Sequence, residues 1–95
     1  MRVVFAAGRA TLPPESTGVL DLAAQKLGEN PQYRRIRVDG YAEPAEKNPR
    51  ALAQARAEAV RDYLIKKGVE AARLQAAVGG GAGKGRTVEL IVVEQ

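Results

Sequence analysis

The chain contains neither cysteine nor histidine. Without cysteine there is no disulfide framework, no thiolate zinc site and no thiol nucleophile. Without histidine there is no Ser-His-Asp triad and no imidazole metal ligand. Aromatic residues are scarce as well: one Phe, three Tyr and no Trp leave too few rings for a base-stacking platform. No apolar run approaches the roughly 18 residues of a membrane span. The opening Met1-Arg2-Val3-Val4-Phe5 lacks the long apolar stretch of a targeting signal. Together these absences leave little room for an enzyme, and neither a catalytic residue, a metal nor a cofactor is expected.

What remains is the composition of one folded domain spanning residues 1–95, with 45% hydrophobic and 27% charged residues. Fifteen basic side chains against eleven acidic ones give a net charge of +4. That balance is mildly basic.

Arg2 to Ala6 is β-branched and aromatic, and it ends before Gly8, which predicts a strand. Pro14 suits a first helical position, where a missing N–H costs nothing, and Glu15 favours the positive end of the helix dipole. Leu20, Ala23, Ala24 and Leu27 then recur at helical spacing until Gly28-Glu29-Asn30-Pro31 stops the pattern. From Tyr33 to Gly40 the period becomes two, with Ile36 and Val38 on one side and Arg35, Arg37 and Asp39 on the other. Asn48 as cap and Pro49 as first residue predict a second helix, with Leu52, Ala55, Ala59, Val60, Tyr63 and Leu64 along one side. Asp62 and Lys66 form a favourable pair on its outer side, and Gly68 is the expected left-handed end. A helical turn over 69–73, a strand near Leu74–Val78 and an alternating strand around Val88, Leu90 and Val92 complete the chain. The order is β-α-β-α-β-β. It predicts an α+β two-layer sandwich, a four-stranded mixed sheet with both helices on one face.

The tract Gly79–Gly85 invites a phosphate-binding reading, which fails on position. Val78 stands where a P-loop needs its first glycine, Gly85 where it needs Ser or Thr, and Lys84 where a dinucleotide fingerprint needs its third glycine. The tract is read as a flexible connection between strands. Arg34, Arg35 and Arg37 share their region with Asp39 and Glu89, so no nucleic-acid partner is expected.

Arg56 is the residue that demands a partner. Leu52, Arg56 and Val60 are spaced by four, which starts a guanidinium from an apolar stripe, and an unpaired buried charge is costly. Glu43 and Glu46 lie in the loop before this helix. Glu46 is read as a solvated loop charge, and Glu43 as the candidate companion. One reading is an internal Arg56–Glu43 ion pair that pins the loop, which the spacing alone favours. The other is that the pair receives a small zwitterion, its ammonium on Glu43 and its carboxylate on the planar fork of Arg56.

The segments Val38-Asp39-Gly40-Tyr41-Ala42-Glu43, Leu52-Ala53-Gln54-Ala55-Arg56-Ala57-Glu58-Ala59-Val60 and Tyr63-Leu64 resemble the OmpA-like C-terminal domain family. Leu12-Pro13-Pro14-Glu15-Ser16, Gly68-Val69, Arg73-Leu74 and Arg86-Thr87-Val88-Glu89 extend the resemblance in the same order over nearly the whole chain. The resemblance implies non-catalytic binding of peptidoglycan in the periplasm or cell envelope of a bacterium. In that family a loop Asp and a helix Arg grip the diaminopimelate of the stem peptide. Carried over, Arg56 is the family arginine and Glu43 stands for the aspartate. Ala42, Asn48, Leu52 and Arg86 complete the implied ligand-binding set. The sequence departs from the pattern at Glu43 for Asp, Pro49 for Asn, Ala53 for Ser and Thr87 for the second Arg of Arg-Arg-Val-Glu. These departures keep a second expectation open. On that account the domain has lost peptidoglycan binding and serves as a structural or protein-interaction element of an envelope assembly.

Overall fold

A computed structural model describes residues 1–80 and 85–94. Residues 81–84 of the glycine tract, read above as a flexible connection, lie outside the described residues. The described elements are β1 (Arg2–Val4), α1 (Thr17–Glu29), β2 (Arg35–Gly40), α2 (Pro49–Lys66), β3 (Leu74–Val78) and β4 (Thr87–Glu94). The sheet order is β1-β4-β2-β3, with β3 parallel to β2 and β4 antiparallel to both β1 and β2. This is the expected α+β arrangement with a four-stranded mixed sheet.

Alternation along the strands builds the core. Val3, Ile36, Val38, Leu74 and Val88 turn inward and join Leu20, Ala23 and Leu27 of α1 and Ala57, Val60 and Leu64 of α2 in one buried cluster. Arg35 lies exposed beside Ile36 in β2, as period two requires. Asp39 departs from this pattern. It belongs to the outward set yet is buried, and it is satisfied by Arg37 Nε at 2.8 Å.

The elements differ from the sequence reading in four local respects. The two prolines give a single 3-10 turn at Pro14–Ser16 before α1 begins at Thr17. Asn48 does precede α2, but its side chain caps nothing; it enters the helix at φ 49°, a left-handed conformation that Asn tolerates. Asp62 takes Arg61 at 3.1 Å rather than Lys66. The buried stripe of α2 is Ala53, Arg56, Ala57, Val60 and Leu64, rotated about one residue from the predicted face.

Gly40 explains that rotation. A Cβ at this position would overlap the backbone carbonyl of Ala53 and stand 3.1 Å from the Ala57 Cβ. The glycine and the two small alanines let α2 lie directly on the end of β2. That close approach carries Arg56 inward, next to the loops at that end of the sheet.

Candidate functional site

Arg56 is the largest fully buried side chain among the described residues, with 0% of its surface exposed. Three loop carbonyls and one carboxylate use all five of its N–H donors. Nε donates to Arg9 O at 2.8 Å, and Nη1 to Tyr41 O at 3.0 Å and Glu46 Oε1 at 3.0 Å. Nη2 donates to Ala6 O at 3.2 Å and Glu46 Oε2 at 2.6 Å. The guanidinium carbon lies 5.5 Å from the centroid of the Phe5 ring, within cation–π range. A guanidinium has five donors, so none is left over.

The carboxylate on the other side is equally engaged. Glu46 Oε1 accepts the Glu43 N–H at 2.8 Å, and Oε2 accepts the Gly8 N–H at 2.7 Å. With the two Arg56 contacts this makes four hydrogen bonds to one carboxylate. Its side chain is only 7% exposed. The hydrogen bond from Arg56, reinforced by the Gly8 and Glu43 amides, outweighs burial and lowers its pKa from 4.5 to about 2. Gly8 is at φ 71°, a left-handed conformation natural to glycine.

The companion of Arg56 is therefore Glu46, not the expected Glu43, and the reading of Glu46 as a solvated charge is overturned. Two features of the chain cause the exchange. Glu43-Pro44-Ala45-Glu46 forms a turn closed by Glu46 N–H to Glu43 O at 3.0 Å, with proline at the position that favours such turns. The turn folds Glu46 back toward α2. The antiparallel register Gly40↔Val88 meanwhile brings Arg86 alongside the start of the loop. Arg86 Nη1 then takes Glu43 Oε1 at 2.9 Å, in a partly exposed pair. Glu46 could have been found from the proline turn and the register together, but not from helical spacing.

The rest of the implied set is divided between two places. Ala42 lines a recess of about 170 Å³ together with Tyr41, Pro49, Arg50 and Ala53. Asn48 lines a wider groove of about 580 Å³ with Arg50, Gln54 and Val78. Leu52 lies half-buried on α2 and lines neither of them. The structure thus joins Glu43 to Arg86 and leaves Arg56 sealed beneath Glu46. Among the described residues no cluster of three or more acidic side chains could hold a metal ion. No described helix is long and apolar enough to cross a membrane.

The OmpA family model matches residues 4–89. The chain belongs to the OmpA family. Its relatives include Outer membrane protein A of Serratia odorifera, 35% identical over 77 residues that make up 78% of this chain and 32% of that protein. Outer membrane protein A of Yersinia pseudotuberculosis is 39% identical over 79 residues, covering 78% of this chain and 22% of the relative. The chain thus spans about a third or less of the length of these OmpA-family relatives. Among solved structures it is similar to the peptidoglycan-associated lipoprotein of Burkholderia pseudomallei. That match has a TM-score of 0.83 and 28% identity over 95% of this chain and 87% of the other. The C-terminal domain of Helicobacter pylori MotB shares the fold, with a TM-score of 0.81, 19% identity and coverage of 96% and 82%.

Proposed function

We propose that this chain is a non-catalytic peptidoglycan-binding module of the bacterial cell envelope, acting on the periplasmic side. Its ligand is a diaminopimelate-type stem peptide, with a carboxylate seated on Arg56 and an ammonium reaching Glu43. Membership of the OmpA family and the likeness to a peptidoglycan-associated lipoprotein support the class of partner. The observation that carries the site is the carboxylate held by Arg56, Gly8 and Glu43 on four hydrogen bonds. A planar fork flanked by two backbone N–H groups suits a carboxylate. Here the occupant is the chain's own Glu46.

That same occupant favours a second reading. With every donor of Arg56 spent inside the molecule, the scaffold serves as a structural or protein-interaction element of an envelope assembly. Co-sedimentation with purified diaminopimelate-containing sacculi separates the two. The first reading expects the folded domain to be retained and to be released by excess free stem peptide, with the Gly8 and Glu43 amide resonances moving as peptide is added. Absence of retention for the natural chain and for Glu46→Ala alike, at millimolar wall peptide, leaves the second reading.

A further inference from the structure

We infer that Glu46 is an exchangeable internal occupant of a carboxylate receptor, and that an external carboxylate enters only by replacing it. This rests on the reading of Arg56 as the ligand seat. The receptor is assembled from three parts of the chain: the Gly8 N–H after β1, the Glu43 N–H after β2, and Arg56 on α2. Arg56 and the Gly8 loop have supports of their own, whereas the Glu43 N–H belongs to the turn that the Glu46 backbone closes. The carbonyls of Ala6, Arg9 and Tyr41 hold the guanidinium from the other side. The Gly8 N–H lies on its own loop.

Glu46 itself rides on a short surface loop. Pro44, Ala45, Lys47 and Asn48 around it are exposed. Asn48, where that loop joins α2, is the sole non-glycine residue with positive φ among the described residues. Such a conformation is less favoured than the ordinary regions for a residue other than glycine. A charged guanidinium in a buried seat cannot be left bare, so the occupant is exchanged for a like group rather than simply lost. The receptor therefore selects for charge. A carboxylate satisfies both arms of Arg56 and both amides, because it is acceptor-only, whereas a carboxamide brings N–H groups to donors. The ligand class is a free carboxylate, and the amidated form of the same molecule is refused.

The test is chemical rescue in Glu46→Ala, using acetate as the probe. Acetate should raise the melting temperature of this variant and shift the Gly8 and Glu43 amide resonances. Acetamide, or sodium chloride at equal ionic strength, should do neither. The natural chain should respond at least about tenfold more weakly, since an occupied seat is open less than about a tenth of the time. If Glu46→Ala does not fold, Glu46→Ser, which also vacates the seat, is read the same way. A variant with no acetate-specific response overturns the inference, as does a natural chain with the same acetate midpoint. Sacculus retention keeps this inference apart from the function it rests on. Acetate rescue with no retention of either protein upholds the receptor and removes peptidoglycan as its ligand. Equal retention of both proteins upholds the ligand and removes Glu46 as its competitor.

Discussion

Two carboxylates three residues apart meet very different environments at the residue scale, and substitutions should separate them. Glu43 is half-exposed on Arg86, and pairs of that kind contribute little. Glu43→Gln is expected to cost less than about 1 kcal/mol in urea denaturation. Glu46→Gln breaks a buried pair and should cost about 3 kcal/mol, as should Arg56→Lys, which loses the planar fork. Equal costs at 43 and 46 would contradict the pairing of Arg56 with Glu46. Acidity gives an independent check. The folded-state pKa of Glu46 lies below its ordinary value, so its contribution is complete above pH 4.5 and is lost as pH falls toward 2. Over that interval the natural chain should lose about 2–3 kcal/mol, allowing for some screening near the surface. The Glu46→Gln variant should begin less stable and show a flatter profile between the same limits. Helical spacing made Arg56 legible as a cation in need of a partner. Which acid would reach it depended on a turn and a strand register.

For the elements, the contact between α2 and β2 decides what the helix presents to the core. Gly40→Ala would press a methyl group into the Ala53 carbonyl, which is backbone and cannot rotate away. A loss of about 3 kcal/mol is expected, near the top of the range for overpacking, measured by chemical denaturation. Helix faces can be compared in the same way. Leu64→Ala empties a fully buried position and should cost about 2–5 kcal/mol, whereas Leu22→Ala, at 49% exposure on α1, should stay within about 0.5 kcal/mol. Periodicity found both helices and the inner residues Leu20, Ala23, Leu27, Val60 and Leu64. It misplaced the inner side of α2 toward Leu52, Ala55 and Ala59, because alanine and arginine carry no strong hydropathy signal. The choice fell instead to the close approach over Gly40. A link between helices also escaped the reading: Tyr63 donates its hydroxyl to Asp21 at 2.6 Å, across 42 residues.

Across the whole molecule, the connections after β1 and β2 converge with α2 at one end of the sheet, and the site exists only where the three meet. Ala6 and Arg9 lie about fifty residues before Arg56, and Glu46 lies ten before it. For the intact domain this predicts that ligand binding and loop 43–48 are coupled. Slower amide exchange at Gly8 and Glu43 in the stem-peptide complex than in Glu46→Ala alone would register that coupling. The amino-acid sequence by itself determined the order of elements, the mixed sheet, the family resemblance and the presence of one unusual arginine. Those features are written in local spacing and in which side chains avoid water. Only the tertiary structure decided that Glu46 rather than Glu43 sits on that arginine, and that the seat is already filled. Hydrogen bonds act over about 3 Å, and loops distant in sequence must close on one another before their donors can be aimed at a single carboxylate.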